Sequence, residues 1–365
     1  MRAFALFALL LGLPISSAAL SLNTLTLPAG FKIAVYSENV PNARELALGA
    51  NGTVFVGSRD AGRIYALTDA DHHGRAERVR VIASGLEVPS GVAFHDGDLY
   101  IGAISRIFVL RDIEHHLDDP PKPEVVTDKL PTATHHGWKF IAFGPDGWLY
   151  VPVGAPCNVC EADPDVYAAI HRMKPDGSQY EVFARGIRNT VGFDWDPNTG
   201  ELWFNDHGRD MMGDDLPSCE LNHAPHAGMH FGFPYCHQGD TPDPEYGAKR
   251  KCSEFTPPAL KQGGHVAPDG LRFYTGKMFP AEYRNRIFIA QHGSWNRSKK
   301  SGYRVMMVTL NKDGKTVDKY EEFATGWMEN ERAWGRPVDL LVMPDGSLLV
   351  SDDTANAVYR ITYGK

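Results

Sequence analysis

Short runs in which apolar and polar residues alternate recur along most of the chain. One run at residues 91–94 turns at Asp96-Gly97 into a second run at residues 99–102. Alternation of this kind, bounded by Gly, Asn or Asp, is typical of β-hairpins, and no long segment shows the apolar period of a helix. Hairpin units of this type begin near residues 53, 91, 140, 191, 270 and 340.

Six similar hairpin units in one chain favour an all-β fold, the six-bladed β-propeller. A β-sandwich is the alternative, but six repeated units fit two packed sheets poorly. We expect one propeller domain over residues 20–365, with long loops at 154–166 and 206–265 inserted after blades 3 and 4. Loops of this length in a compact domain usually serve a function, although a flexible surface insertion is the alternative.

The first 19 residues have the features of a secretory signal peptide. Arg2 precedes an apolar run at residues 3–13, and small residues follow at 16–19. This run is too short to span a bilayer, and no later stretch is long and apolar enough to do so. An uncleaved membrane anchor is the alternative. The sequence therefore predicts a periplasmic or secreted protein that is not inserted in a membrane.

The overall composition is that of a globular protein. Hydrophobic residues make up 43% of the chain and charged residues 22%, which argues against disorder. The formal net charge of −8 argues against a nucleic-acid partner, because phosphate binding normally needs a basic face.

The five cysteines suggest disulfides in an exported protein. Cys157 and Cys160 are close in sequence, and Cys236 and Cys252 flank a polar loop, so either pair is a candidate disulfide. Cys219 would then remain a thiol. A zinc site is the alternative, but the chain does not group four zinc ligands convincingly. No histidine follows the Cys-X-X-Cys sequence, so covalent haem is not expected.

Two polar motifs precede the third and fourth hairpin units. His135 and His136 lie beside Lys139, and a neighbouring cation would keep an imidazole neutral and able to accept a proton. A histidine that only forms a hydrogen bond in the core is the alternative. Further along, Arg188 and Asn189 could pair with the carboxylates of a ligand, although a surface arginine is the alternative.

Carboxylates and glycines are concentrated between residues 205 and 222. Hard cations such as calcium take oxygen ligands of this kind, but the spacing does not match an EF-hand loop. Asp214, Asp215 and Glu220 are candidates for a second metal site, with a solvated acidic loop as the alternative.

Aromatic and cationic residues also mark the fifth and sixth units, at His265, Arg297 and Arg336. If loops from several blades face one channel, these side chains would form a pocket that suits a planar, multiply charged anionic cofactor.

Taken together, these motifs resemble those of the soluble quinoprotein sugar dehydrogenases, and most closely the sorbosone dehydrogenase branch. The resemblance covers nearly the whole mature chain. It implies a six-bladed propeller that uses pyrroloquinoline quinone (PQQ) and calcium to oxidise an aldose or a sugar aldehyde. The motifs that carry it are His-His-Gly-Trp-Lys at 135–139, Arg-Asn at 188–189, the loop at 207–222, His-Gly-Ser-Trp-Asn-Arg at 292–297 and Trp-Gly-Arg-Pro at 334–337.

The resemblance also implies roles for particular residues. His136 would be the general base that takes the proton of the substrate hydroxyl while a hydride passes to the quinone. Arg188 and Asn189 would hold carboxylates of the cofactor, and the backbone carbonyls of Gly208 and Arg209 would ligate calcium. Further cofactor contacts are expected at Lys139, His265, Arg297 and Arg336.

The chain departs from the family pattern at several cofactor contacts. Pro89-Ser90 stands where members commonly have a glutamine, and Val338 stands where many have a second arginine. The family lysine of the fifth blade has no clean match, and Arg297 is the candidate. Electrons would leave to an external acceptor, since the chain has no haem motif.

Two other functions are compatible with the same motifs. One is a calcium-dependent propeller hydrolase or lactonase, in which His136 would activate water. The other is a non-catalytic propeller that binds a sugar or a protein. The arginines at 188, 297 and 336 favour the dehydrogenase, because a lactonase does not need a pocket for a polyanion.

Overall fold

The computed structural model describes residues 20–364, and their strands form six antiparallel blades of a β-propeller, which confirms the predicted fold class. The first strand, β1 (Phe31–Ser37), belongs to the last blade. Blade one contains β2 (Ala43–Leu48), β3 (Val54–Ser58), β4 (Arg63–Thr68) and β5 (Arg78–Ser84). Blade two contains β6 (Gly91–His95), β7 (Asp98–Gly102), β8 (Ile107–Leu110) and β9 (Glu124–Thr127).

The third and fourth blades carry additional short strands. Blade three contains β10 (Ala142–Phe143), β11 (Leu149–Val153), β12 (Ala169–Met173) and β13 (Glu181–Arg185). Blade four begins with β14 (Phe193–Trp195), β15 (Leu202–Asp206) and β16 (Ser218–Ala224). The chain then forms β17 (Met229–His230), which pairs in parallel with β13, and the ribbon of β18 (Cys236–His237) and β19 (Thr241–Pro242). Strand β20 (Leu260–Gly264) completes blade four.

The last two blades follow the same order of strands. Blade five contains β21 (Pro268–Phe273), β22 (Ile287–Gln291), β23 (Arg304–Leu310) and β24 (Val317–Ala324). A small ribbon follows, formed by β25 (Met328–Glu329) and β26 (Arg332–Ala333). Blade six contains β27 (Pro337–Val342), β28 (Leu348–Asp352) and β29 (Ala357–Tyr363), with β1 as its outer strand. Short 3-10 helices occur at Leu22–Thr24, Ile113–His115, Cys252–Glu254 and Ala281–Tyr283.

Both long loops lie inside their blades rather than after them. Residues 154–168 connect β11 to β12, and the region 206–265 contains β16 and β20 of blade four as well as the strands between them. Strands β16 and β20 contain several polar residues, so the apolar alternation did not reveal them. The first loop contains a disulfide between Cys157 and Cys160, and the second contains one between Cys236 and Cys252.

The hydrophobic core lies between neighbouring blades. Tyr100 and Val109 of blade two, for example, pack in one cluster with Leu149 and Val151 of blade three. The ring is closed by β1, whose residues from Phe31 to Val35 pair in antiparallel register with β29. The N-terminal part of the described chain is thereby fixed to its C-terminal strand.

The predicted signal peptide, residues 1–19, lies outside the described residues. Within residues 20–364 no helix is long and apolar enough to cross a membrane.

Glycine at position 192 lets blades four and five approach each other closely. A Cβ atom at Gly192 would lie 2.0 Å from the carbonyl oxygen of Asp269 on β21. We expect Gly192→Ala to lower the free energy of unfolding by about 3 kcal/mol, because two blades would have to move apart. Urea unfolding followed by tryptophan fluorescence measures this loss.

Gly147→Ala is the control for this prediction. Gly147 has a φ of 73° and no atom within 4 Å of a built Cβ, so its substitution should cost only about 1 kcal/mol for the left-handed backbone. Equal losses in the two variants would contradict the role given to the contact between the blades.

Candidate functional site

A pocket of about 340 Å³ lies where loops of blades one, three, four, five and six meet. In an antiparallel blade the start of the first strand and the end of the second lie at the same edge, so loops from different blades converge there. Basic side chains dominate the lining, which contains Arg44, Arg59, Arg188 and Arg336 together with His136, His207, His265 and His292.

His136 is held in the pocket wall by its backbone and by one ring nitrogen. Its φ of 50° is in the left-handed region, which non-glycine residues adopt at a cost. Nδ1 lies 2.8 Å from the carbonyl oxygen of Ala155. Because a carbonyl oxygen only accepts hydrogen bonds, Nδ1 carries the hydrogen of the neutral ring and Nε2 keeps its lone pair. Glycine at position 154 leaves room for His136, because a Cβ atom at Gly154 would lie 2.5 Å from the His136 Cβ.

The electrostatic surroundings keep His136 neutral. Burial, and next the positive charge of Arg188, lower the pKa of His136 to about 2. The neighbouring His135 is exposed and outside the pocket lining, with its ring centroid 4.1 Å from that of His136. Partial burial and Arg188 also lower the pKa of His135. His136 is therefore the histidine of this pair that can meet a ligand in the pocket.

The Arg188 side chain is saturated by oxygen atoms of the protein. Its Nε donates to the Asn158 carbonyl at 2.8 Å and its Nη2 to Asn158 Oδ1 and Asp210 Oδ2 at 2.9 and 3.0 Å. Its Nη1 donates to the carbonyls of Gly208 and His207 at 3.0 and 3.4 Å. A guanidinium has five N–H groups, and each one here has an acceptor. Arg188 lines the pocket but offers no unused donor to a ligand carboxylate.

Asn189 is buried beside Arg188. Its backbone N–H donates to Asp206 Oδ1 at 2.6 Å, and its side-chain amide is 3.2 Å from His207 Nδ1. Burial raises the pKa of Asp206 to about 6. Asn189 thus positions His207 as well as lining the pocket.

Of the two backbone carbonyls expected to ligate calcium, that of Gly208 has a hydrogen-bond donor within the protein. The Gly208 carbonyl accepts the hydrogen bond from Arg188. The Arg209 side chain forms ion pairs with Asp243 and Glu245, at 2.5 and 3.2 Å. A guanidinium, not an open set of oxygen atoms, therefore faces the first of the expected calcium ligands.

Two further expected cofactor contacts differ in their position. His265 lines the pocket, and its Nε2 donates to the Gly213 carbonyl at 2.7 Å. Lys139 is buried outside the lining, where its Nζ donates to the Gly137 carbonyl and no carboxylate of residues 20–364 forms an ion pair with it. Burial lowers the pKa of Lys139 to about 7. Lys139 is thus a buried amine outside the pocket lining.

Arg297 and the three candidate carboxylates do not form a cofactor or metal site together. Arg297 lies outside the lining, with Nη1 bonded to the Asp214 carbonyl and Nη2 2.8 Å from Asp215 Oδ1. Glu220 is buried, and its Oε1 accepts from the Gln238 backbone N–H at 2.6 Å. Burial and the charge of Asp206 raise its pKa to about 8.

Grouped metal-ligating side chains occur elsewhere in the described part of the chain. Among residues 20–364 the one group with suitable spacing consists of Asp69, Asp71 and Glu77, which are outside the pocket lining.

Cys219 is a buried thiol of the lining, and burial raises its pKa to about 11.

A chain of charged groups in the pocket wall was not predicted from the sequence. Arg44 pairs with Asp269 at 3.1 Å and with Asp353 at 3.0 Å. The same carboxylates hold two pocket histidines: Asp269 lies 3.1 Å from His207 Nε2, and Asp353 lies 2.9 Å from His292 Nε2. The sequence signal was the adjacent charged pair Arg44 and Glu45 in an inner strand whose other residues are apolar.

Two arginines of the lining have no carboxylate partner among the described residues. Arg59 makes no ion pair there and lies 4.9 Å from the Trp138 ring. The Arg336 guanidinium donates only to the carbonyls of His292 and Gly293, at 2.9 and 2.6 Å. Trp295, which is 69% exposed, adds a second indole to the lining. The pocket therefore combines unpaired positive charge with flat aromatic surfaces.

The family of the chain follows from a comparison with known proteins. A family model described as a domain of unknown function, DUF7133, matches residues 17–359. The chain belongs to this family. An uncharacterized protein of Borreliella burgdorferi is 32% identical over 358 residues, which cover 94% of this chain and 92% of that protein. The aldose sugar dehydrogenase YliI of Escherichia coli is 26% identical over 196 residues, 52% of this chain and 46% of that protein.

This DUF7133 protein shares its fold with solved quinoprotein structures. The holo form of the pyranose dehydrogenase PQQ domain from Coprinopsis cinerea has a TM-score of 0.76 at 20% identity, covering 93% of this chain and 97% of that one. The PQQ-bound aldose sugar dehydrogenase from Streptomyces coelicolor has a TM-score of 0.65 at 20% identity, covering 92% and 99%. The resemblance to soluble quinoprotein sugar dehydrogenases is thus confirmed, at the level of the fold.

The low pKa of His136 predicts a pH dependence of stability in the DUF7133 protein. Below pH 6.5 the unfolded chain binds a proton at this histidine, whereas the folded chain does so only near pH 2. The contribution of His136 to the free energy of unfolding is therefore fully present above pH 6.5 and falls as the pH is lowered. Between pH 7 and pH 5 we expect the wild type to lose about 2 kcal/mol more unfolding free energy than His136→Gln. Urea unfolding of both proteins at each pH measures the difference, and equal losses would contradict the buried, neutral state.

Proposed function

We propose that this protein oxidises an aldose or a sugar aldehyde with PQQ as the hydride acceptor. The observation that carries the proposal is one pocket that holds a neutral histidine with a free Nε2, two arginines without carboxylate partners, and two indoles. The shared propeller fold and the PQQ-bound relatives support it.

The donor set of the pocket fits a planar polyanion. Arg59 and Arg336 carry charges that no carboxylate of residues 20–364 offsets, so both would gain from an anionic ligand. The exposed face of Trp295 would give such a ligand a surface for stacking. His265 and His292 complete the polar wall. PQQ would supply the two-electron acceptor, while these side chains bind and orient it.

His136 is the proposed base of the reaction. Ala155 fixes the tautomer in which Nε2 accepts, so the substrate hydroxyl would donate its hydrogen to that atom. The positive charge of Arg188 opposes protonation of the ring. A bound polyanion would offset this charge and raise the pKa of His136, which makes the base stronger when the pocket is loaded.

The hydrogen bond at Gly208 is unfavourable for a calcium ion at the carbonyls of Gly208 and Arg209. The Gly208 carbonyl accepts from Arg188, and a divalent cation there would face the guanidinium at short range. We therefore assign no step of the proposed reaction to calcium at these carbonyls.

Export and an external electron acceptor complete the proposal. The signal-like composition of residues 1–19 supports a periplasmic or secreted location. A calcium-dependent hydrolase is less well supported, because the grouped carboxylates of the described chain, Asp69, Asp71 and Glu77, lie outside the pocket lining.

Reconstitution tests the proposed function. Purified protein is mixed with PQQ and assayed for reduction of an artificial dye on a panel of aldoses and sugar aldehydes. We expect dye reduction with at least one sugar. In His136→Gln we expect PQQ affinity to stay within about threefold, while turnover falls by at least a hundredfold. Absence of both PQQ binding and dye reduction would refute the proposal, and normal turnover of the variant would place the base elsewhere.

Arg336 and Arg297 provide a matched pair for the anion pocket. Arg336→Gln removes an unpaired charge from the lining, and we expect PQQ to bind about tenfold to a hundredfold more weakly. Arg297→Gln removes the same charge outside the lining and should change the affinity by less than about threefold. Quenching of tryptophan fluorescence by PQQ measures both affinities, and equal losses would argue against direct contact at Arg336.

A further inference from the structure

The surroundings of Arg188 have the composition of a calcium site. The atoms that accept from its guanidinium are the carbonyl oxygens of Asn158, His207 and Gly208, the amide oxygen of Asn158 and a carboxylate oxygen of Asp210. Carbonyl, amide and carboxylate oxygens are the ligands that calcium takes in proteins. The Arg188 guanidinium already places a positive charge among these oxygen atoms.

These oxygen atoms are held in place by a network of their own. Asn158 Oδ1 also accepts from the Asp210 backbone N–H at 2.8 Å, and Asn158 Nδ2 donates to the Asp210 carbonyl at 3.1 Å. The disulfide of Cys157 and Cys160 flanks Asn158 on both sides. The backbone N–H of Arg188 is fixed by Asp206 Oδ2 at 2.9 Å. The cage and the cation inside it are therefore built from the inserted loop of blade three, the segment that enters blade four and the loop between β15 and β16.

The guanidinium and a calcium ion cannot share this cage, because both are positively charged. Arg188 is 3% exposed and Asp210 is its carboxylate partner, so the positive charge is paired and buried. A divalent ion on the Gly208 carbonyl would compete with Arg188 for this oxygen and repel it in a poorly solvated wall.

We propose that Arg188 is the resident cation of this pocket, and that the pocket binds its anionic ligand without a divalent metal. The guanidinium takes the oxygen atoms that calcium would need, and Asp210 pairs with its positive charge. The identity of the ligand as PQQ rests on the proposed function, but the exclusion of calcium from the cage does not.

Calorimetric titration with calcium chloride tests the cage in the protein without PQQ. Wild type, Arg188→Ala and the double variant Arg188→Ala/Asn158→Ala are first treated with chelator and then compared. Removing the guanidinium frees the oxygen atoms, so Arg188→Ala should bind one calcium ion more than the wild type. The double variant should lose this extra ion, which locates it at the cage. Equal stoichiometry in folded wild type and folded Arg188→Ala would overturn the proposal, and thermal unfolding curves show whether each variant is folded.

PQQ binding to the wild type gives a second, independent measurement. We expect its affinity in EDTA and in millimolar calcium to agree within about twofold. A loss of more than about tenfold in EDTA would overturn the proposal even if Arg188→Ala fails to fold. If PQQ binds under neither condition, the proposed function fails, and the calcium titration alone decides whether Arg188 fills the cage.

Discussion

Closure of the ring by β1 and β29 is the interaction on which the pocket depends. These strands join the two ends of the described chain in one antiparallel pair, and without it blade six would lack its outer strand. The pocket collects Arg59 from blade one and Arg336 from the entry to blade six, which are neighbours only in a closed ring. The site is therefore a property of the whole propeller, and no single blade contains it.

Buried charge then divides the pocket into fixed and available groups. Arg44 binds Asp269 and Asp353, and through them it ties blade one to blade five and to the end of β28 in blade six. Buried ions need partners of this kind, and losing one partner is costly. Arg188 is likewise paired with Asp210. What remains for a ligand is the charge of Arg59 and Arg336, which no carboxylate of the described chain offsets.

Much of the fold was accessible from the sequence, because strands such as β7, β11 and β28 are mainly apolar and short turns follow or precede them. Strand β16 was missed, since its buried residues include the polar Glu220 and Asn222, where Asn222 Nδ2 donates to Glu220 Oε2 at 3.0 Å. The place of His136 was also predictable from its motif. The partners of Arg188 were not, because Asn158 and Asp210 lie 30 and 22 residues away in the chain and meet it only through loops of unpredicted shape.

The low pKa of His136 relates anion binding in the pocket to proton transfer at this histidine. A base whose conjugate acid has a pKa of about 2 takes a proton from a sugar hydroxyl only with difficulty, since proton transfer is most effective when the pKa is near the working pH. The first cause of the low value is burial, and the next is Arg188, whose charge an anion in the same pocket would offset. Arg188 cannot leave, because every one of its N–H groups is bonded. Under the proposed function, an anion in the pocket would therefore raise the pKa of His136 by offsetting the charge of Arg188, while burial would continue to lower it.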